Sequence, residues 1–198
     1  MLTLVLGGAR SGKSSFAEKI AYFRGQDDVI YIATAEVRDE EMAQRVAAHK
    51  DSRPQQWTTI EEPVKVSQTL EKIEKNQVVL LDCITVLISN LFMKYEKNSS
   101  DEKEKEVLRE MEQIVNVARK NEISLIMVSN EVGLGVVPAY KMGREYRDIA
   151  GRVNQFLSQK VDEVYFTIAG LPLEIQQVGL KNLKKFATKK DVIADAEF

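Results

Sequence analysis

Residues Gly7 to Ser14 read Gly-Gly-Ala-Arg-Ser-Gly-Lys-Ser and follow the apolar run Leu2–Leu6. They meet every fixed position of the phosphate-binding pattern GxxxxGK[ST], in the expected place after a strand. The chemistry of each position is specific. Glycines at 7, 8 and 12 let the backbone turn tightly and bring its N–H groups close to an anion. Lys13 can reach the β- and γ-phosphates of a nucleotide, and Ser14 can offer its hydroxyl to Mg²⁺. The segment after the loop can start a helix whose positive end faces the phosphates. Gly7, Gly8, Ala9, Arg10, Ser11, Gly12, Lys13 and Ser14 are therefore the candidate phosphate-binding set.

A second candidate is Asp82, which ends the apolar run Val78–Leu81. A carboxylate at the carboxyl end of a buried strand is the form of a Walker B element, where it helps hold Mg²⁺ beside the nucleotide. Cys83 has no basic neighbour in sequence and reads as a small buried hydrophobe. His49, the only histidine, admits two readings. It stands three residues after Val46 and seven after Met42, on the apolar stripe of an expected helix, which suits a packed core histidine. Its neighbours Arg45, Lys50 and Arg53 are cationic. Such a cluster suits a triphosphate site and favours the neutral imidazole that a nitrogen nucleophile must be. The polar run Ser129–Gly133 follows a strand and should face a ligand crevice. Arg144, Arg147, Asp148 and Arg152 share one helical face. They form either a solvated, ion-paired surface or a basic ridge for an anion.

These groups need a scaffold. Leu2–Leu6, Val29–Ala33, Val78–Leu81, Leu125–Val128 and Val164–Ile168 read as strands, and continuous apolar runs of this length suit strands covered on both faces. Ser14–Arg24, Glu40–Lys50, Val64–Lys75, Ile84–Lys94, Asp101–Lys120 and Arg144–Gln159 read as helices. Tyr95–Lys105 and Gly133–Pro138 read as loops. The alternation predicts an α/β protein with a mostly parallel sheet and helices on both faces. Residues 1–175 should form one domain and 176–198, Lys-rich and then acidic, a C-terminal extension.

Composition narrows the class. With 198 residues, 44% hydrophobic and 29% charged, the chain can build a single sizeable core. A formal net charge of −2 gives no reason to expect nucleic-acid binding. One cysteine cannot form an internal disulfide and suits a reducing compartment. No apolar run is long enough to span a membrane and no signal-like segment opens the chain, so a cytoplasmic location is expected.

Together these segments resemble one family. The loop 7–14, Tyr-Ile-Ala-Thr-Ala at 31–35, His-Lys-Asp-Ser-Arg-Pro at 49–54, Trp57 with Glu61, Leu-Asp-Cys-Ile-Thr at 81–85, Ser-Asn-Glu-Val-Gly at 129–133 and Arg-Asp-Ile-Ala-Gly-Arg-Val-Asn-Gln at 147–155 resemble the bifunctional adenosylcobinamide kinase/adenosylcobinamide-phosphate guanylyltransferase family of cobalamin biosynthesis. The resemblance implies a RecA-like P-loop NTPase fold and a propeller-shaped homotrimer. It implies two reactions: phosphorylation of the aminopropanol hydroxyl of adenosylcobinamide by ATP or GTP, then transfer of GMP from GTP through a guanylyl-histidine. His49 matches that histidine, and Lys13 and Ser14 match the phosphate-loop residues. Ala33, Thr34, Ala35, Lys50, Asp51, Ser52, Arg53, Glu61 and Asp82 match nucleotide-contacting positions. The implied partners are a corrinoid and nucleoside triphosphates. Two rival readings keep the phosphate loop without the histidine chemistry: a P-loop ATPase motor and a nucleotide-gated regulatory module.

Overall fold

The computed structural model describes residues 1–36 and 54–179. Its centre is a seven-stranded sheet in the order β3-β2-β4-β5-β1-β6-β7. The strands are β1 (Leu2–Gly7), β2 (Val29–Ala33), β3 (Thr58–Glu61), β4 (Val78–Asp82), β5 (Ser124–Asn130), β6 (Glu163–Ile168) and β7 (Leu171–Glu174). All neighbours pair in parallel except β6 and β7. The helices are α1 (Lys13–Gly25), α2 (Val66–Leu70), α3 (Ile84–Lys94), α4 (Ser100–Lys120) and α5 (Lys141–Lys160).

The apolar runs are continuous because both faces of the central strands are covered, each by its own core. Leu2, Leu4 and Leu6 of β1, Val79 and Leu81 of β4, and Leu125 and Met127 of β5 point to one face, with residues of α2, α3, α4 and α5. The intervening Val5, Val78, Leu80, Ile126 and Val128 point to the other and meet Ala17 and Ala21 of α1. Two small residues on α1 let that helix lie close to the strands. The side-chain period of two survives, but both phases are apolar, so no in–out alternation marks these strands in the sequence.

Helix α4 begins one residue earlier than its apolar pattern suggests. Ser99 Oγ accepts from the Glu102 N–H, and the Glu102 carboxylate accepts from the Ser99 N–H at 2.9 Å, a reciprocal cap. The expected helix over 64–75 is shorter: only Val66–Leu70 is helical. Beyond it Lys72 and Ile73 donate to carbonyls three residues back, which tightens the chain into turns, and Asn76 at φ 64° ends the segment. Two strands escape the apolar pattern. β3 is a short edge strand with exposed threonines. β7 contains Pro172, tolerated at a sheet edge, and is joined to β6 through Ala169 (φ 51°) and Gly170 (φ 81°), a two-residue turn with both residues left-handed. The expected helix 40–50 lies outside the described residues.

The amino-terminal end of β1 is tied to the helix layer by Asp162. Its carboxylate accepts from the Leu2 N–H at 2.7 Å and from both terminal nitrogens of Arg119 at 2.8 and 2.6 Å. The Arg119 hydrogen bonds, ahead of the backbone bond, hold its carboxyl below the ordinary 3.8. A carboxyl lowered in the folded state stabilises the fold above its unfolded pKa, and that contribution disappears as pH falls through the folded value. Asp162→Asn should therefore lower the thermal midpoint at about pH 7, and the parent and variant midpoints should converge as pH is brought below 3.8 toward about 2. A gap that persists unchanged at low pH would assign the effect to something other than this charge.

Candidate functional site

Parallel pairing brings the carboxyl ends of six strands to one edge. Ala33 is in register with both Glu61 of β3 and Asp82 of β4, and Gly7 is in register with both Asn130 of β5 and Thr167 of β6. At about 4.8 Å per strand, Glu61 and Gly7 stand roughly 19 Å apart across four strand intervals. The predicted residues Gly7–Ser14, Ala33–Ala35, Glu61 and Asp82 thus lie along one rim. His49, Lys50, Asp51, Ser52 and Arg53 lie outside the described residues.

The loop after β1 is shaped by close backbone contacts. A Cβ at Gly7 would stand 2.5 Å from Ser11 Oγ and 2.7 Å from the Thr167 carbonyl oxygen. Arg10 takes φ 55° and Gly12 φ 91°. A Cβ at Gly12 would come within 3.1 Å of Gly170 Cα, and the Gly170 N–H donates to the Ser11 carbonyl at 2.8 Å. The β6–β7 turn therefore forms a wall against the loop. Lys13 Nζ donates to the Gly8 carbonyl at 3.2 Å, and Ala9 and Arg10 are exposed. Gly12 caps α1 without a side chain, so no side chain competes for the first-turn N–H groups of this helix, the arrangement that favours an anion. Ser11 Oγ and Thr167 Oγ1 are buried without a hydrogen-bond partner.

Asp82 ends β4, and its Oδ2 accepts from the Tyr31 hydroxyl at 3.0 Å. Thr34, fully buried, fixes the chain after β2 against the chain after β4. Its hydroxyl donates to the Cys83 carbonyl at 2.8 Å and accepts from the Cys83 N–H at 2.9 Å, while its own N–H donates to the Asp82 carbonyl. Asn90, buried in the apolar helix α3, donates from Nδ2 to both the Thr34 and Pro63 carbonyls at 2.9 Å, holding the loops after β2 and β3 together. Cys83 is buried, in line with its reading as a small hydrophobe. Burial pushes its thiol up, the Asp82 charge adds to this, and the Thr85 hydrogen bond opposes it. Among the described residues no three His, Cys, Asp or Glu side chains cluster as a metal cage. Mg²⁺ in phosphoryl-transfer sites uses one or two protein oxygens together with phosphates, and the Ser14 hydroxyl and Asp82 carboxylate are hard oxygen donors that fit it.

The polar run Ser129–Gly133, whose first two residues end β5, does two things. Ser129 and Asn130 turn inward: the Ser129 hydroxyl donates to Asn154 Oδ1 at 2.7 Å, and Asn130 donates to Thr85 Oγ1 from its backbone N–H at 3.2 Å and from Nδ2 at 2.9 Å. Glu131 returns to the loop at 7–14, its N–H donating to the Gly7 carbonyl. The Tyr146 hydroxyl donates to the Thr85 carbonyl at 3.0 Å, and burial, with the nearby Cys83, pushes it up to about 12. On the expected arginine face, Arg152 pairs with Glu104 of α4, and Arg144 donates to the Pro138 and Ala139 carbonyls. Those two serve packing, and Arg147 lies 3.4 Å from its neighbour Asp148. Tyr31, Thr85 and Asn154 stand inside the segments that carry the family resemblance but receive no role from sequence, and Asn90, Tyr146 and Thr167 lie outside those segments. Asn90 left one trace, a lone amide in an otherwise apolar helix.

The glycine geometry sets a contrast. Overpacking costs about 1–3 kcal/mol. Gly7→Ala should lower the thermal midpoint accordingly and weaken Mg·GTP binding about tenfold or more in calorimetric titration. A Cβ at Gly8 meets no protein atom within 4 Å, so Gly8→Ala should leave the midpoint unchanged. Equal midpoints for the two variants would contradict the crowding at Gly7.

Residues 3–175 match the family model described as cobinamide kinase/cobinamide phosphate guanyltransferase. A bifunctional adenosylcobalamin biosynthesis protein of Escherichia coli is 36% identical over 183 residues, covering 89% of this chain and all of that one. Its counterpart in Pseudomonas aeruginosa is 39% identical over 177 residues, covering 89% of this chain and 98% of that one. Among solved structures, the RadB recombinase overlaps with a TM-score of 0.47 at 18% identity, covering 83% of this chain and 73% of that chain. The flagellar accessory protein FlaH of Methanocaldococcus jannaschii overlaps with a TM-score of 0.46 at 15% identity, over 86% of this chain and 74% of that chain.

Proposed function

Since the chain belongs to the cobinamide kinase/cobinamide phosphate guanyltransferase family, it is a transferase of cobalamin biosynthesis, and we propose that both reactions use the single rim described above. The observation that carries this reading is the crowded loop at Gly7–Ser14 lying on the same sheet edge as Asp82. In the kinase step the aminopropanol hydroxyl oxygen of adenosylcobinamide attacks the γ-phosphorus of ATP or GTP. A new P–O bond forms, the bond to the β-phosphate bridging oxygen breaks so that ADP or GDP leaves with that electron pair, and the hydroxyl proton is released to solvent. In the second step a ring nitrogen of His49 attacks the α-phosphorus of GTP, and pyrophosphate leaves. The phosphate of the corrinoid then attacks that phosphorus, the P–N bond breaks, and adenosylcobinamide-GDP is released with the imidazole restored.

Charge develops on phosphoryl oxygens in every step, so positioning and electrostatics carry the catalysis. Lys13 neutralises the β- and γ-phosphates, and the backbone of Gly7–Gly12 cradles them. Ser14 and Asp82 would hold Mg²⁺, which when bound supplies further charge neutralisation. To the remainder of the nucleotide we assign Ala33, Thr34, Ala35, Glu61, Lys50, Asp51, Ser52 and Arg53, the positions that match nucleotide-contacting ones in the family. Residues 1–175 act as the catalytic domain and 176–198 as an extension. Among the described residues no helix is long and apolar enough to cross a membrane. We place the protein in the cytoplasm.

A homotrimer fits the surface. Leu134, Val136, Val137, Tyr140 and Met142 are all exposed on one short stretch, an apolar load rarely left in water. Light scattering at micromolar concentration should give a mass close to three times the 22.4 kDa chain. A fully active monomer would exclude this.

Intact mass decides the covalent step. The parent protein incubated with Mg·GTP should gain one GMP, through a phosphoramidate labile in acid and stable in alkali. His49→Asn should abolish the adduct and guanylyl transfer while still binding nucleotide. Lys13→Ala should lower turnover of both reactions by about 10²–10³-fold with the fold intact. An adduct retained in His49→Asn would mean another side chain is the nucleophile, and no adduct in the parent would favour a nucleotide-gated module.

A further inference from the structure

Thr85 lies on the first turn of α3, three residues beyond Asp82, and is 2% exposed. Its hydroxyl oxygen accepts from the Asn130 N–H and from Asn130 Nδ2, at 3.2 and 2.9 Å. Those two bonds occupy both lone pairs, so its single proton is directed to Cys83 Sγ, 3.2 Å away. Its carbonyl accepts from the Tyr146 hydroxyl at 3.0 Å. From Asn130 the chain of contacts continues: the Asn130 carbonyl accepts from Asn154 Nδ2 at 3.2 Å, and Asn154 Oδ1 accepts from the Ser129 hydroxyl. This buried residue thus joins the end of β4 to the end of β5 and to Tyr146 of α5, and through Asn130 it reaches Asn154, about two turns further along that helix. Asp82 precedes it on β4, and Glu131, bonded to the Gly7 carbonyl, follows Asn130 on β5.

We propose that Thr85 is a positioning residue for phosphoryl and guanylyl transfer, locking the carboxyl ends of β4 and β5 to α5 so that Asp82 and the phosphate loop keep one relative geometry. This rests on the reading of Asp82 and Gly7–Ser14 as one nucleotide site. Thr85 touches no reacting atom. It acts through the spacing of the strand ends, and a misplacement of about 1 Å is enough to cost about 10²-fold in rate. Buried polar networks polarise one another and fix a single arrangement when every member is satisfied. Valine matches the shape of threonine but leaves both Asn130 donors without an acceptor, while serine keeps the oxygen.

The test uses the full chain and both half-reactions, with Mg·GTP and adenosylcobinamide as substrates, and nucleotide affinity from calorimetry. Thr85→Val is expected to lower kcat of both steps about 10–100-fold while nucleotide affinity and KM stay within about threefold, and Thr85→Ser is expected to recover kcat to within about threefold of the parent. A merely structural role would reduce thermal stability and active fraction without this split. A folded Thr85→Val with parent kcat overturns the proposal, as does a loss confined to nucleotide affinity. If Thr85→Val does not fold, Tyr146→Phe carries the test. It removes one tie and no volume from the core: a fall in kcat of about threefold or more at unchanged KM supports the proposal, and parent kcat overturns it. Asp82→Asn separates the two levels. Inactive Asp82→Asn beside fully active Thr85→Val defeats this proposal alone, whereas fully active Asp82→Asn defeats the reading of the site beneath it.

Discussion

Parallel strand pairing is the constraint on which the remaining structure depends. Because β3, β2, β4, β5, β1 and β6 all run the same way, their carboxyl ends must emerge at one edge. The registers then align Glu61, Ala33 and Asp82 along one row and Asn130, Gly7 and Thr167 along another. Residues dispersed over more than a hundred positions of sequence become neighbours without any long-range side-chain interaction being required. The two apolar cores keep the sheet dry on both faces, so the edge is where polar groups can collect.

At that edge the loops are held by hydrogen bonds from threonine and asparagine rather than by ion pairs. Thr34 bonds both the N–H and the carbonyl of Cys83, Asn90 joins the Thr34 and Pro63 carbonyls, and Thr85 gathers Asn130, Cys83 and Tyr146. Neutral partners suit this place. A buried charge would require its own compensation and would disturb a site meant for a polyanion. The raised Cys83 thiol follows the same logic, since a thiolate beside Asp82 would be both desolvated and repelled. Formal charge at the rim itself is carried by Arg10 and Lys13 of the loop and by Glu61 and Asp82 at the strand ends.

The phosphate loop is enclosed from a direction that a strand–loop–helix motif does not by itself supply. The β6–β7 turn places Gly170 against Gly12 and donates to the Ser11 carbonyl. The antiparallel β7 therefore does more than close the sheet. Its turn packs against the loop on the β6 side, while Leu171 and Leu173 of β7 itself stay exposed.

By itself the sequence determined the local pieces. Gly7–Ser14 spell out a loop that needs glycine where backbone approaches backbone, and the apolar runs of β1, β4 and β5 announce strands buried on both faces. It left β3 and β7 unread, because edge strands bury little and carry threonine or proline where central strands carry valine and leucine. It overextended α2, whose end is set by turns and not by the apolar spacing. It marked the segments that hold Thr85 and Asn154 without giving either a role, and it passed over Asn90 and Tyr146, since a polar residue on a helix has the same appearance whether it meets water or a partner. Only tertiary structure decided those roles. Hydrogen bonds between residues 25 to 61 positions apart exist once parallel packing has brought the strand ends and α5 within reach, and no local pattern encodes that meeting.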